Sequence, residues 1–319
     1  GRVFILSRDQ QPIFSESSMT LHPSQKPRRA LITGASGFTG RYLAQELADH
    51  GWDVWGLGHA PQPGLANYAV ADLENYEQLQ AVVQRVAPRV VFHLAAIAFV
   101  GHGSPADFYR INVGGSRNLL QALASLPTPP QSVLIASSAN VYGNSAEGKL
   151  TEATAICPAN DYAVSKVAME MMANLWMDRL PIVIARPFNY TGVGQSTNFL
   201  LPKIVDHFRR KAQQIELGNL QVWRDFSDVR DVVRAYRCLV EQEVSSIVVN
   251  VGSQALYSLQ DVLDQCVNLT GHQMEVRVNP AFVRANEVKT LCADTSRLES
   301  LLGKRALVPL EQTLQWMLT

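Results

Sequence analysis

Leu31-Ile32-Thr33-Gly34-Ala35-Ser36-Gly37-Phe38-Thr39-Gly40 is the stretch that decides how the rest of the chain is read. The short apolar run Ala30–Thr33 enters it, and a helical pattern over Arg41–His50 leaves it. Gly34 permits a sharp turn, Gly37 lets the backbone approach a pyrophosphate, and Gly40 lets helix and strand pack closely. A helix N-terminus placed there offers unpaired N–H groups and partial positive charge to phosphates. Strand, glycine turn and helix in succession predict a dinucleotide cradle formed by Gly34, Ser36, Gly37, Phe38, Thr39 and Gly40.

Outward from this stretch, β-like runs alternate with helical ones. The runs are Ala30–Thr33, Val54–Leu57, Tyr68–Ala71, Val90–Leu94, Val133–Ser137, Ile182–Ala185 and Ile247–Val251. Helical patterns fall at Glu77–Val86, Asn112–Ala124 and Val229–Val240. Such alternation predicts an α/β fold, a doubly wound parallel sheet of Rossmann type with a smaller C-terminal lobe. Several strands are continuously apolar, as expected when helices cover both faces. After Pro187 the pattern turns irregular and rich in Gly, Asn and Arg. The expected division is residues 1–29 as a disordered or expression-derived segment, 30–187 with about 229–256 as the dinucleotide domain, and about 188–228 with 257–319 as a substrate lobe. Met19 is a candidate natural start, with residues 1–18 left from expression.

Composition narrows the class. The chain has 319 residues, 47% hydrophobic and 18% charged, with 28 Lys+Arg against 28 Asp+Glu. A zero formal net charge gives no reason to expect a nucleic-acid partner or a membrane surface. No apolar run approaches the ~20 residues needed to cross a bilayer. Cys157, Cys238, Cys266 and Cys292 lie far apart and form no CxxC, which predicts reduced core thiols and a cytoplasmic protein. The seven histidines show no ligand-type spacing, so no metal site is expected.

An acidic residue ending the second strand would bind the ribose 2′-hydroxyl of NAD. Here that end is Gly58-His59. Gly58 leaves room for a 2′-phosphate that His59 or Arg41 would contact, so NADP(H) is favoured over NAD(H). Asp72, with Leu73 after it, ends the third run; its carboxylate is placed to meet the adenine amino group or to cap the next helix.

Tyr162-Ala163-Val164-Ser165-Lys166 puts a phenol and an ammonium one turn apart on one helix face. A free tyrosine titrates near ~10 and exchanges protons poorly at neutrality. A neighbouring ammonium and a positive nicotinamide ring would favour its phenolate, so that Tyr162 trades a proton while hydride passes to or from the cofactor. Ser138, in Ala136-Ser137-Ser138-Ala139-Asn140-Val141-Tyr142-Gly143, ends a predicted strand at the sheet's carboxyl edge, placed to hold the same substrate oxygen.

The motifs TGASGFTG, HLAA (His93–Ala96), Ile111-Asn112, SSANVYG, YAVSK and ARPFN (Ala185–Asn189) occur in order. The chain resembles the extended short-chain dehydrogenases that act on nucleotide-sugars, from about Ala30 to the C-terminus. The resemblance implies Ser138, Tyr162 and Lys166 as a catalytic triad, with Asn112 supporting a proton-relay water. It implies Leu94, Ala95, Ala96 and Pro187 along the cofactor, and Asn189 beside the sugar. Leu217–Phe226, with its LGNL and Arg224-Asp225, resembles the GDP-mannose 4,6-dehydratases and their reductase relatives. In that group Arg224 would bind the diphosphate, with Arg284 as a second clamp and Glu287 at the ribose of the sugar base. Asn198 and Lys203 would also face the nucleotide-sugar.

The dehydratases carry a Glu two positions before the tyrosine of the VYG turn; here Asn140 stands there, and an amide cannot serve as that acid. The leading expectation is reduction of the C4 ketone of GDP-4-keto-6-deoxy-D-mannose to GDP-D-rhamnose. A 4-epimerase using the same triad is the alternative, followed by a 4,6-dehydratase or a non-catalytic nucleotide sensor. Helix Tyr162–Met177 places Val164, Val167, Met171, Met172, Leu175 and Trp176 broadly along an apolar face. Core packing explains such a face, and the resemblance adds a homodimer through a four-helix bundle with Asn112–Leu126.

Overall fold

The computed structural model describes residues 27–62, 67–98, 104–143, 148–283 and 289–319. The strands are β1 (Arg29–Thr33), β2 (Asp53–Gly58), β3 (Tyr68–Val70), β4 (Val90–His93), β5 (Ser132–Ala136), β6 (Gly148–Leu150) and β7 (Ile182–Pro187). They continue with β8 (Asn189–Thr191), β9 (Gln214–Leu217), β10 (Trp223–Asp228), β11 (Ile247–Val251), β12 (Leu256–Ser258), β13 (Glu275–Val278) and β14 (Thr290–Ala293). The helices are α1 (Phe38–Asp49), α2 (Tyr76–Val86), α3 (Ala106–Tyr109), α4 (Ser116–Ala124), α5 (Asp161–Asn174), α6 (Leu200–Arg209), α7 (Val229–Glu241), α8 (Leu259–Thr270), α9 (Ser296–Leu302) and α10 (Leu310–Leu318).

Seven strands form one sheet in the order β11-β7-β5-β4-β1-β2-β3, every pairing parallel. This is the doubly wound sheet expected from the alternation. Successive strand residues point to opposite faces, and both faces are covered. Leu31, Val91, Val133, Ile135, Ile182 and Ile184 pack under α2, α4 and α5. Ala30, Ile32, Phe92, Leu134, Val183 and Val249 pack under α1 and α7.

The segment after Pro187 is more regular than its composition suggests. A second sheet has the order β12-β10-β14-β6, with β8 added alongside β10, and β9 pairs with β13. Its core gathers Leu201, Ile204, Phe208 and Ile215 with Val262, Leu263, Leu314 and Met317. The Asp225 carboxylate staples this region to the large sheet's edge: it accepts from the N–H groups of Ser253, Gln254 and Ala293.

The helix expected from Asn112 begins earlier, at Ala106, and runs through a π-helical turn over Arg110–Gly115 before α4. A wider turn of this kind re-aims the side chains after it and often marks a functional segment. Gly115 is what lets it sit close to its neighbour, since a Cβ there would stand 2.9 Å from Leu73 Cβ. Two cysteine expectations change: Cys266 and Cys292 are buried, but Cys157 is exposed and Cys238 only half-buried. Among the described residues no helix is long and apolar enough to cross a membrane.

Candidate active site

The glycine turn has the backbone its spacing requires. Gly34 adopts φ +71°, and its N–H donates to Leu57 O at 3.2 Å. A Cβ on Gly40 would overlap Gly34 O and come 2.7 Å from Ala35 Cα, so helix and turn can touch only through glycine. Gly37 is the N-cap of α1 and supplies no side-chain bond to the first turn, which also lacks acidic residues. That helix start is left to bind an anion with its own N–H groups.

A cleft of about 170 Å³ opens at the carboxyl end of the large sheet. Of the residues expected there, Thr39, Leu94, Ala96, Tyr162, Lys166 and Pro187 line it. Tyr190 and Tyr236, which the motifs did not single out, line it as well. Tyr190 Oη lies 2.7 Å from Thr39 Oγ1, joining β8 to the glycine turn. Tyr236, on α7, is 1% exposed and its hydroxyl has no hydrogen-bond partner among the described residues. A buried polar group of that kind at a cleft wall is suited to a polar ligand.

Asn160 caps α5 by accepting from Ala163 N at 2.8 Å, which starts the helix just before Tyr162. Lys166 Nζ donates to Ala136 O at 3.0 Å and lies 5.9 Å from the Tyr162 ring centre. Burial pushes Lys166 down to about 8, against the opposing pull of Glu170. Burial pushes the Tyr162 phenol up to about 12, against a hydrogen bond with Ser138. Desolvation thus favours the protonated phenol, against the pull toward phenolate expected from a nicotinamide ring.

Asn112 is buried within the π-turn, bonded to the backbone of Ile97 on both amide atoms and to Ser165 Oγ at 3.0 Å. It thus pins the loop after β4 to the helix that carries Tyr162. His93 is held between Thr33 Oγ1 and Ser116 Oγ, each at 2.7 Å. Burial pushes its imidazole down to about 3, with Lys166 adding to the effect, so it is neutral.

Behind the cleft, Glu170 accepts from Ser137 Oγ at 2.6 Å and from Arg186 Nη2 at 2.7 Å. Arg186 Nη1 reaches Tyr142 Oη at 3.1 Å, which donates to Asn250 Oδ1 at 2.6 Å. The residues beside Ser138 and Pro187 are thereby tied to the helix of Tyr162 and Lys166.

The remaining candidates stand elsewhere. Asn189 is exposed on β8, Asn198 is exposed before α6, and Arg224 on β10 donates to Trp223 O at 2.8 Å. Lys203 Nζ donates to Glu216 O at 2.7 Å and covers the Phe282 ring. None of the four lines the cleft beside Tyr162. Arg284 and Glu287 lie outside the described residues. Asp72 accepts from Glu74 N at 2.9 Å and does not cap α2, whose N-cap is Asn75. Leu73 O accepts from Asn118 Nδ2 at 2.8 Å, and His59 is exposed just past β2. The room expected at Gly58 is filled: a Cβ there would overlap Tyr68 Oη.

The family model of the NAD dependent epimerase/dehydratase family matches residues 30–252. The GDP-6-deoxy-D-talose 4-dehydrogenase of Aggregatibacter actinomycetemcomitans is 34% identical, over 86% of this chain and 91% of its own. The GDP-6-deoxy-D-mannose reductase of Pseudomonas aeruginosa is 30% identical, over 92% of this chain and 96% of its own. A crystal structure from Burkholderia cenocepacia J2315 superposes with a TM-score of 0.88 at 49% identity, covering 92% and 98% of the two chains. The Pseudomonas aeruginosa RMD solved with NADPH superposes at 0.80 and 29% identity, covering 92% and 96%.

Proposed function

The chain belongs to the NAD dependent epimerase/dehydratase family, and on that premise we propose that it reduces the C4 ketone of a nucleotide-activated 4-keto-6-deoxy sugar, in the form GDP-4-keto-6-deoxy-D-mannose to GDP-D-rhamnose. The observation that carries the reading is the half-buried Tyr162 in the cleft wall with Lys166 one helical turn behind it. The relatives named a GDP-6-deoxy-sugar 4-dehydrogenase and a GDP-6-deoxy-sugar reductase support redox chemistry at a sugar carbon of this kind.

The open helix start at Gly37, the glycine-only contact at Gly40 and the cleft wall fit a nicotinamide dinucleotide, and NADP(H) is favoured. When bound, it supplies the hydride. Ser138 holds the ketone oxygen by hydrogen bond, and Tyr162 donates its proton to that oxygen as negative charge develops there. Lys166, one turn away, is a short step from refilling the phenol. Asn112 keeps the β4 loop and α5 in register. Arg224, with Arg284, is assigned to the diphosphate, Asn189, Asn198 and Lys203 to the sugar side, and Glu287 to the base's ribose. Asp72 and His59 are assigned to the adenosine end. The exposed Val164 and Met171 on α5, with Leu175 at its C-cap, support a homodimer.

Mixing the protein with GDP-4-keto-6-deoxy-D-mannose and NADPH tests the reading. Nicotinamide absorbance should fall, and Tyr162→Phe should slow that fall by roughly 10²–10⁴-fold while leaving cofactor binding in place. Full activity in Tyr162→Phe, or no turnover beside an active control, refutes it. A 4-epimerase reading rests on the same three residues; copurified NAD and turnover without added cofactor would favour it instead.

A further inference from the structure

The ring of Tyr68 lies along the two glycines of β2. A Cβ on Gly56 would stand 2.8 Å from Tyr68 Cδ2 and 2.9 Å from Ala35 Cβ, and one on Gly58 would overlap Tyr68 Oη. The register explains this: β3 pairs in parallel with β2, with Gly56 opposite Tyr68, so a long side chain leaving Tyr68 on that face runs toward residue 58. Gly58 is the last residue of β2, the position from which a dinucleotide fold presents a carboxylate to the ribose 2′-hydroxyl. In this chain the space that such a side chain would occupy holds a phenol hydroxyl supplied by the next strand.

We propose that Tyr68 reads the 2′ position of the cofactor's adenosine ribose in place of residue 58, and that its hydroxyl selects the 2′-phosphorylated dinucleotide. This rests on the nicotinamide-cofactor reading and deepens it. The phenol is neutral and can donate to a phosphate oxygen, whereas a carboxylate at residue 58 would repel one. Burial raises the Tyr68 phenol above its ordinary value, which keeps that donor in place at neutral pH. The contact also makes the two residues mutually exclusive. An acidic side chain can enter at 58 only if the ring of Tyr68 leaves.

Titration calorimetry of the full chain with adenosine 2′,5′-bisphosphate and with adenosine 5′-monophosphate separates the outcomes, because neither ligand needs a sugar substrate. Wild type should bind the bisphosphate more tightly. Tyr68→Phe should weaken the bisphosphate by roughly tenfold and the monophosphate by less than about twofold, as expected for one hydrogen bond to a charged group. Gly58→Asp alone should weaken both ligands, and Tyr68→Ala/Gly58→Asp should restore the monophosphate and reverse the preference. If both ligands bind wild type but Tyr68→Phe leaves their ratio unchanged, or if Gly58→Asp alone reverses the preference, the assignment of Tyr68 is overturned while the cofactor reading stands. If neither ligand binds wild type, the cofactor reading itself falls, and the Tyr68 proposal with it.

Discussion

Burial is the largest influence on the titration of His93, Tyr162 and Lys166. His93 shows what that does to stability. Its ordinary value of 6.5 falls to about 3 in the folded chain. As pH drops below 6.5 the unfolded chain takes up a proton that the folded chain refuses, so stability is lost progressively toward pH 3. Between about pH 7.5 and about pH 5 this single ring should cost about 2 kcal/mol. Denaturant unfolding at the two pH values should show that loss in wild type and a smaller one in His93→Gln; an equal loss in both would disprove the role. The same effect of burial favours the protonated form of Tyr162. YAVSK identifies the phenol and the ammonium, but their desolvation depends on Tyr190, Tyr236 and the strand ends that close around them.

Between elements, the Glu170–Arg186 pair has the largest stake. Both side chains are nearly excluded from water, at 6% and 5% exposure. Removing one partner leaves a buried charge uncompensated, which costs about 3–5 kcal/mol, whereas replacing both with apolar residues is often near neutral. Glu170→Leu should therefore lower the unfolding free energy by that amount, and Glu170→Leu/Arg186→Leu should recover most of it in the same denaturant titration. Additive losses would show that the pair is not coupled. The pair was not legible in the chain. Glu170 on α5 and Arg186 on β7 meet only through their long side chains in the folded chain, and no local pattern states that contact. The glycine turn, the seven strands of the large sheet and Tyr162 with Lys166 were legible because their signals are short-range. The π-turn was missed because Ile111-Asn112-Val113 reads as ordinary helix until Leu73 is brought against Gly115. Tyr68 was missed because only the β2–β3 register carries it to Gly58.

At the scale of the molecule, α5 offers Tyr162 and Lys166 inward and an apolar strip outward. Met171 and Leu175 are 65% and 76% exposed. Large apolar side chains grouped on one helix face mark an association surface. Light scattering at micromolar protein should report a dimer, and Met171→Lys/Leu175→Lys should report a monomer; a monomeric wild type would refute the arrangement. A chain of hydroxyls and one imidazole joins β1 to the π-turn. A hydroxyl carries one proton. Ser116 donates its own to Asn112 O at 2.6 Å, so it must accept from the ring, and Nε2 of His93 is the protonated nitrogen. Nδ1 is then bare and takes the proton of Thr33, whose lone pairs receive the amides of Leu94 and Ala95. Every link points the same way, from the loop after β4 into the helix layer, and none can reverse alone. In a nitrogen-labelled sample this one-way circuit would appear as a single imidazole with a pyrrole-type resonance at Nε2 and a pyridine-type resonance at Nδ1, unexchanged across the neutral range.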